Sequence, residues 1–569
     1  MPTASTISVR EVLDLLDTEF AGLAKGIAQA RYAFWLGSGI SRERVDDLRG
    51  VIRRILSHLR DRIDLTNAAC PYRRALEEAI DLVGISPAER AQIDFSKPIV
   101  EWPVIDMLVA RLSGVYSRLM DIRIAGHPAD YLLWEAVDVP ATFVHANPDC
   151  EHLCLGILAL EGVLPDLVTP NWDGLIETAV AELTNGSGTT LVVCVVPDDL
   201  REPLQLTRML KFHGCAVRAA SEPATYRSLL IARYSQIIDW QTNPESAAIR
   251  HQLVDIAATK PTLMIGLSAQ DVNIQFLFGS ARALMHWGWP SDPPAHVFAE
   301  DVLGNDQRNI LRVVYREAYD TNGGAIEASA LLRAYAKPAL TALVVHVLGA
   351  KLRAFIETVD APHLSGAERI AVGQGIVILR NRLAAGAEPD RLAFVRSLVR
   401  GFAHFIALFQ EGTPSAADLS YRPLSNSPVH RIPEDPNLAT SGIRELASAL
   451  GVIGLGESSG MWVVHTTNPA EPQRGVLRVT SSTGAARVFF AANDRASVQL
   501  GINGLVAPDD ADAILVHSTS PVPKMPRSPL SPPGRVGRAG LRNVGMRDLL
   551  LEATSTTHLI QRFREEAIL

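Results

Sequence analysis

The sequence has few cysteines, and they are arranged in a way that excludes a disulfide framework. The five cysteines, Cys70, Cys150, Cys154, Cys194 and Cys215, form an odd and scattered set among 569 residues. This pattern is typical of reduced thiols in a cytoplasm. Only Cys150 and Cys154 are closely spaced, and they can share a helix face. No second close pair completes a four-ligand zinc site, so we expect no metal centre.

Long apolar runs and an excess of positive charge are also lacking. No uninterrupted apolar run reaches the roughly 18 to 20 residues that a helix needs to cross a bilayer. The N-terminal stretch MPTASTISVREVLDLL has no basic region followed by an apolar core, so we expect no signal peptide. The formal net charge of -8 argues against a nucleic-acid binder along the whole chain. Together these features predict a cytoplasmic protein without membrane attachment.

The first 300 residues contain short, continuous apolar runs separated by helical segments. Runs of this kind predict parallel strands that are buried on both faces of a sheet. We therefore predict an α/β fold with a Rossmann-like parallel sheet, a helical insertion, and a C-terminal helical and small α/β region. The six predicted strands cover residues 32–36, 165–169, 190–196, 209–212, 262–266 and 295–299.

Polar residues follow four of these six runs. Ligands of parallel sheets bind beyond the carboxyl ends of the strands, so these polar residues are expected to share one site. The first group is a glycine turn that leads into a helix, an arrangement that can present backbone amides to a phosphate. The groups are Gly37-Ser38-Gly39-Ile40-Ser41 after the first run, Asn171 and Asp173 after the second, His213-Gly214 after the fourth, and Ser268 and Asp271 after the fifth.

The pattern of helices, strands and prolines predicts three regions. Residues 1–320 form the predicted catalytic α/β domain, with a helical insertion at about 51–125. Residues 321–415 form a helical region, and residues 416–569 a small C-terminal α/β domain. The last domain contains a proline-rich, basic stretch at 520–547 that cannot pack a core. That stretch is interpreted either as a solvated loop or as a contact for nucleic acid or a partner protein.

The polar residues suit one reaction in particular. If the glycine turn holds a pyrophosphate, then Asn171, Asp173 and His213 converge on the attached ribose and its base. Cleavage of an N-glycosidic bond to a cationic leaving group, such as the nicotinamide of NAD, fits these groups and passes through an oxocarbenium-like transition state. Histidine can act as a base on a ribose hydroxyl near neutral pH. Asn171 can orient a water or the ribose, and Asp173 can accept from the carboxamide.

Each of these residues also has a purely structural interpretation. Asn171, Asp173, Ser268 and Asp271 are residue types that cap helices. His213 can be a hydrogen-bonded structural histidine. The joint order and spacing of the residues favour the functional interpretation.

Taken together, the segments resemble the sirtuin family. Residues 37–41 (GSGIS) are similar to its GAGIS turn, 47–50 (DLRG) to its PDFRG loop, 169–173 (TPNWD) to its TQNID motif, 211–214 (KFHG) to its HG motif and 266–268 (GLS) to its GTS motif, while 271–274 (DVNI) match an extension in the sirtuin-like branch of bacterial defence proteins.

The resemblance implies NAD as a substrate and assigns roles residue by residue. Asn171 and His213 would be catalytic. No zinc is implied, because the paired CxxC ribbon of the deacylases is missing. The NAD-binding residues implied are Gly37, Ser38, Gly39, Ser41, Asp47, Arg49, Thr169, Asp173, Gly266, Ser268 and Asp271.

Departures from the family pattern argue against an acyl-lysine peptide as the acceptor in the reaction. Besides the missing zinc ribbon, Pro170 replaces a glutamine and Leu48 replaces an aromatic residue. The resemblance therefore implies an NAD glycohydrolase that yields nicotinamide and ADP-ribose and depletes NAD in antiphage defence. It also implies a homo-oligomer, with an ATP-driven DNA translocase or a short Argonaute protein as candidate partners. The alternatives are a sensor that binds NAD or ADP-ribose without turnover, an NAD-dependent protein deacylase, and an N-glycosidase for other nucleosides.

Overall fold

The computed structural model describes residues 2–186, 190–203, 206–285, 287–415, 420–519 and 540–569. In this part of the chain, two separate sheets are surrounded by helices. The strands of the first sheet are β1 (Ala33–Leu36), β2 (Asp166–Thr169), β3 (Leu191–Cys194), β4 (Thr207–Lys211), β5 (Thr262–Ile265), β6 (His296–Ala299) and β7 (Leu331–Leu332).

The first sheet is parallel throughout, in the order β3-β4-β2-β1-β5-β6-β7. The strand order reverses at β1, because the chain continues to β2 on one side and returns to β5 on the other. The predicted α/β class and all six predicted strands are confirmed. The seventh strand, β7, lies beyond the predicted boundary at residue 320. It has only two residues, so no apolar run announces it in the sequence.

Helices cover both faces of this sheet. The predicted helix over residues 7–31 is two helices, because the chain turns at residues 18–20. Outside the segment between β1 and β2, the helices of this domain are α1 (Val9–Asp17), α2 (Ala21–Ala28), α10 (Leu175–Thr184), α11 (Ala216–Ser221), α12 (Pro223–Tyr226), α13 (Tyr234–Trp240), α14 (Ala247–Thr259), α15 (Val272–Ala281), α16 (Asn305–Tyr315) and α17 (Glu317–Ala330).

The long segment between β1 and β2 is helical and has a core of its own. Helix α3 begins at its cap Asp47 and buries apolar residues at helical spacing, among them Ile52, Leu56 and Leu59. The layer extends past the predicted limit near residue 125 to Phe143. The helices are α3 (Leu48–Asp61), α4 (Pro71–Asp81), α5 (Pro87–Arg90), α6 (Ile105–Ser113), α7 (Tyr116–Met120), α8 (Val139–Phe143) and α9 (Cys150–Leu160), the last of which packs in the main core.

Three long helices form the predicted helical region: α18 (Ala336–Glu357), α19 (Gly366–Ala385) and α20 (Arg391–Glu411). By length and composition alone, α18 and α20 could cross a membrane, although the sequence has no uninterrupted apolar run of that length. In the fold, 78% of an apolar 18-residue stretch of α18 is buried, and 50% of the corresponding stretch of α20 is buried. Helix α18 is the centre of the main core, which includes residues from Ile7 to Leu569.

A buried ion pair joins α18 to α9. Lys351 and Glu161 are both fully buried, and the Lys351 Nζ lies 2.7 Å from Glu161 Oε2. The same ammonium donates to the carbonyls of Glu161 and Ser425, each at 2.5 Å. The other carboxylate oxygen accepts from the Tyr421 hydroxyl at 2.6 Å and from the Leu424 amide at 3.0 Å. We call this set the Glu161–Lys351 network.

The second sheet is mixed, in the order β12-β11-β10-β9-β8. Strands β8 to β10 are antiparallel and β10 to β12 are parallel. The strands are β8 (Trp462–Thr466), β9 (Leu477–Ser481), β10 (Gly484–Ala491), β11 (Ala513–His517) and β12 (Arg542–Gly545), and the helices around them are α21 (Ile443–Ser458), α22 (Asp494–Ile502), α23 (Met546–Glu552) and α24 (Thr556–Ala567).

The prediction of a loop over residues 520–547 is wrong for its last part. Residues 542–545 pair with β11, and the side chains of Val544 and Met546 are buried. These two apolar residues were missed because arginine and glycine surround them in the sequence. Residues 520–539 lie outside the described residues.

Candidate functional site

Five neighbouring strands of the first sheet end at one level. The last residues of β1 and β5 pair in register, as do those of β2 and β4 and those of β5 and β6. The pairing of β1 with β2 continues the same level. The turns that follow these strands therefore form a row across four strand spacings of about 4.8 Å each. The row contains His213, Asn171, the turns at Gly37–Gly39 and Gly266–Ser268, and Glu300.

The two glycine turns in the middle of the row pack backbone against backbone. The Gly37 amide donates to the Ile265 carbonyl and the Gly39 amide to the Gly266 carbonyl, both at 3.0 Å. A Cβ on Gly37 would lie 2.2 Å from the Gly266 oxygen, and Gly266 has a φ of +61°. The glycines are thus required for close approach. The expectation that this turn offers its amides to a phosphate is wrong for Gly37 and Gly39, whose amides are already paired.

A Gly39→Ala substitution should separate the two turns. The added Cβ would lie 2.6 Å from the backbone Cα of Gly266, so one turn must shift. We expect a loss of about 1–3 kcal/mol of stability, measured by chemical denaturation, together with weaker ligand binding. Gly279→Ala is the matched control, because its Cβ meets no atom within 4 Å in helix α15. Equal melting and binding for both variants would contradict this account of the turns.

A cavity of about 580 Å³ opens beside the two turns. Of the residues predicted from the sequence, Ser38, Gly39, Gly266 and Ser268 line it. Helices from distant parts of the chain supply other walls, which sequence reasoning missed because no local pattern relates them. The charged residues in its lining are Arg42, Glu43, Glu151, Glu300, Asp306, Lys337 and Arg391.

Two carboxyl groups of the cavity titrate near neutral pH. Burial raises the pKa of Glu300 to about 7, although Arg42 opposes the shift. Burial likewise raises the pKa of Glu151 to about 7. Glu300 directly follows the sixth predicted strand, so its position after a buried run was the signal that could have identified it.

Asn171 is held against the glycine turn. Its side-chain amide donates to the Gly37 carbonyl at 3.0 Å, and its backbone amide donates to the Thr169 hydroxyl at 3.0 Å. Thr169 thus shapes the turn after β2. Because Thr169 and Lys211 pair in register, Asn171 and His213 lie at equivalent positions beyond neighbouring strands.

Asp173 is fixed by a chain of hydrogen bonds. The Asp149 amide donates to His152 Nδ1 at 3.1 Å, so the ring proton of neutral His152 is on Nε2, which lies 3.4 Å from Ser41 Oγ. The Ser41 hydroxyl in turn donates to Asp173 Oδ2 at 3.0 Å. Ser41 is buried and orients Asp173.

Lys211 is a further residue that sequence reasoning missed. The Lys211 ammonium, 1% exposed, donates to the Asp173 carbonyl and lies 2.7 Å from Glu177 Oε1. Asp173 also accepts from the Leu175 amide at 3.2 Å, as expected of a helix cap.

His213 is buried and its two nitrogens face different partners. Nδ1 lies 3.5 Å from Asp271 Oδ2, and Nε2 lies 3.2 Å from Asn273 Nδ2. Since an amide nitrogen only donates, Nε2 is the acceptor and the ring proton is on Nδ1, facing the carboxylate. Burial lowers the pKa of His213 while Asp271 opposes this effect, so the ring is neutral at pH 7. A neutral imidazole backed by a carboxylate can accept a proton.

The other nine predicted residues do not line the cavity; they are Gly37, Ser41, Asp47, Arg49, Thr169, Asn171, Asp173, His213 and Asp271. Asp47 and Arg49 are exposed at the start of α3, where Asp47 caps the helix by accepting from the Gly50 amide at 2.8 Å. Asp271 caps α15 through the Asn273 amide at 2.8 Å, as well as facing His213. The capping interpretation is therefore correct for Asp271, where it is compatible with a role in the site, whereas the capping role of Asp47 was not predicted.

Within the described residues, Asp149, Cys150 and Glu151 lie close enough to hold a metal ion. The Asp149 carboxylate already binds Arg44 at 2.9 Å and Lys337 at 3.1 Å. Burial raises the pKa of Asp149, but Arg44, the Cys150 amide and Lys337 lower it to about 2 overall. Two cations thus already pair with the Asp149 carboxylate. Cys154 faces Thr341 Oγ1 at 3.8 Å on the same helix face as Cys150.

Comparison with known proteins gave a family match for part of the chain. Residues 165–311 match the model of the SIR2-like domain. A search of the curated proteins gave no match. Among solved structures, the chain is similar to one titled "Structural Basis for the Mechanism and Regulation of Sir2 Enzymes", with 12% identity, 58% of this chain and 98% of that chain covered, and a TM-score of 0.26.

The matched segment begins at β2 and includes Asn171, Asp173, His213, Gly266, Ser268 and Asp271. The glycine turn after β1 lies outside it, separated by the helical insertion. The match to the SIR2-like domain is confined to residues 165–311, and the parallel sheet to which this segment belongs also contains β1, which precedes the glycine turn.

Proposed function

We propose that this protein is an NAD glycohydrolase, which cleaves the bond between nicotinamide and ribose to give nicotinamide and ADP-ribose. One observation carries the proposal. His213 and Asn171 lie at equivalent positions beyond β4 and β2, in the same row as the glycine turns that border the cavity. This arrangement supports a dinucleotide bound across the strand ends, at the point where the strand order reverses.

The row of strand ends also suggests an orientation for the bound NAD. The reacting ribose would lie over β2 and β4, near Asn171 and His213. The diphosphate would lie at the turns after β1 and β5, where Ser38 and Ser268 line the cavity. The second nucleoside would then extend toward Glu300 after β6.

In the proposed reaction, the bond between ribose C1′ and the nicotinamide nitrogen breaks, and nicotinamide leaves with the electron pair. A water oxygen bonds to C1′, and the water proton that is released passes to solvent. His213 Nε2 accepts a hydrogen bond from a ribose hydroxyl, which replaces the amide of Asn273. Asp271 stabilises the positive charge that the ring carries while it holds the hydroxyl proton, and the ring returns this proton to the ribose oxygen once water has bonded to C1′. Asn171 orients the water or the ribose.

The test is nicotinamide release by the purified protein, with chromatographic separation of nicotinamide, ADP-ribose and cyclic products. Release of nicotinamide and ADP-ribose without any added peptide would support the hydrolase. Release that requires an acylated peptide would favour a deacylase instead. Binding of NAD with no turnover, measured by calorimetry, would favour a sensor.

The two buried carboxyl groups predict a pH dependence of NAD binding. Because Glu300 and Glu151 have pKa values of about 7, they are neutral below this pH and anionic above it. The anionic forms repel the diphosphate, so affinity should fall by about tenfold between pH 6 and pH 8. Calorimetric titration of the inactive His213→Ala protein measures this change, and Glu300→Gln should flatten the profile. Unchanged affinity across this range would contradict the prediction.

We infer a role for this activity in antiphage defence, in which NAD depletion halts an infected cell. This inference rests on the similarity of the motifs to the sirtuin-like branch of bacterial defence proteins. It includes a cytoplasmic homo-oligomer with a DNA translocase or a short Argonaute protein as candidate partner. Plaque counts on cells that express the wild-type protein or the His213→Ala variant test the role.

A further inference from the structure

We propose that Lys337, on helix α18, is a positioning residue for the NAD site. This inference rests on the proposed function and names a further residue on which it depends. Lys337 lies beyond the segment that matches the SIR2-like domain, yet it lines the same cavity as Ser38, Gly39 and Ser268. The cavity is therefore built in part by the helical region.

The ammonium of Lys337 joins two acidic groups on different elements. It binds the Glu43 carboxylate in the loop after the glycine turn, and Asp149 Oδ2 at 3.1 Å at the start of α9. Asp149 is 6% exposed and also binds Arg44 Nε at 2.9 Å. In this charged cluster, Lys337 binds Glu43 while Asp149 binds the adjacent Arg44, and Lys337 and Asp149 bind each other.

The loop that this cluster holds is directly connected to Asp173, one of the residues predicted to bind NAD. The amides of Arg44 and Val45 donate to the Ser41 carbonyl at 2.9 and 3.0 Å. The Ser41 hydroxyl donates to Asp173 at 3.0 Å. A shift of the Glu43–Arg44 segment would therefore displace Ser41 and, with it, the carboxylate beside the proposed nicotinamide position.

The charges explain why a lysine is needed at this position. Glu43, Asp149 and Glu151 are three carboxyl groups close to one wall of the cavity, and Lys337 and Arg44 balance them. Although burial opposes it, the carboxylates raise the pKa of Lys337, so its charge persists throughout the physiological range. Removal of the ammonium would leave Glu43 free and would weaken the hold on Asp149.

Lys337→Met is the test. We expect KM and Kd for NAD to rise about tenfold with kcat unchanged, because the substrate pocket loosens while His213 stays in place. Lys337→Arg, which keeps the charge, should restore most of the affinity. Arg396→Met is the matched control, since Arg396 of α20 also pairs with the sheet domain, at 3.7 Å from Glu182 of α10, but does not line the cavity.

Hydrogen exchange gives a readout that does not require NAD. In Lys337→Met the amides of Arg44 and Val45 should exchange faster than in the wild type, and in Arg396→Met they should not. Unchanged exchange, or unchanged Kd in Lys337→Met, would overturn the inference while leaving the proposed function intact. A wild-type protein that neither binds nor cleaves NAD would overturn both.

If Lys337→Met does not fold, Glu43→Gln takes its place as the test. Glu43 is 67% exposed, so this change should leave stability intact and still release the loop. Glu43→Gln with unchanged exchange at Arg44 and Val45 and unchanged Kd for NAD would overturn the inference.

Discussion

His213→Ala should lower kcat for nicotinamide release by about 10²-fold or more, the usual scale for loss of a general base. The ring is buried and neutral, with Nδ1 toward Asp271 and Nε2 accepting from Asn273. No neighbouring group among the described residues offers the same combination of an unprotonated nitrogen and a carboxylate behind it. Because burial lowers the pKa of His213, the activity should fall on the acid side only below 6.5, the ordinary value for histidine.

The control for this experiment is the substitution of a histidine that is remote from the row of strand ends. His430, an exposed residue, is suitable, and His430→Ala should retain full activity. Asn171→Ala should lose a factor similar to that of His213→Ala, since the two side chains lie at equivalent positions beyond neighbouring strands. A fully active His213→Ala enzyme would refute the catalytic assignment.

Lys351→Met should destabilise the protein by about 3–5 kcal/mol, because it leaves the Glu161 carboxylate buried without its cation. Burial lowers the pKa of Lys351, and Glu161 opposes this effect. Breaking the Glu161–Lys351 network removes the ammonium that binds Glu161 Oε2 and two carbonyls at once. Chemical denaturation and thermal melting measure the loss.

The double variant Lys351→Met/Glu161→Gln separates charge from packing. A neutral amide can keep the hydrogen bonds from Tyr421 and Leu424 while removing the unpaired charge. We therefore expect the double variant to be more stable than Lys351→Met alone. Lys97→Met, at an exposed lysine, is the control and should change little. A stability of Lys351→Met equal to that of this control would refute the account.

Six of the seven strands of the first sheet, and the polar residues that follow them, could be predicted from the sequence for a physical reason. Strands buried on both faces must be continuously apolar, so the end of each apolar run in the sequence shows where a strand ends and where polar residues can begin. The register was not predictable, because it depends on pairing between distant strands. The partner of His213 illustrates this point: Asn273 lies in a recognised motif, but only the fold brings its amide to Nε2.

The walls of the cavity were the least predictable part of the site. Glu151, Lys337 and Arg391 come from α9, α18 and α20, and no local pattern relates them to the glycine turn. The glycines were predicted because a phosphate could approach their amides, but the structure gives them another role. Their amides bond the turn after β5, so the close approach of two backbones explains them better than a phosphate does.

Because α18 and α20 supply walls of the cavity, its completion depends on residues far from the SIR2-like segment. Chains are made from the N-terminus, and each domain folds as it emerges from the ribosome. A nascent chain that already carries β1 to β6, Asn171 and His213 still lacks Lys337 and Arg391. The order of synthesis thus delays completion of the cavity until most of the chain exists. Under the proposed function, unfinished copies would then be unable to consume the NAD of the cell that makes them.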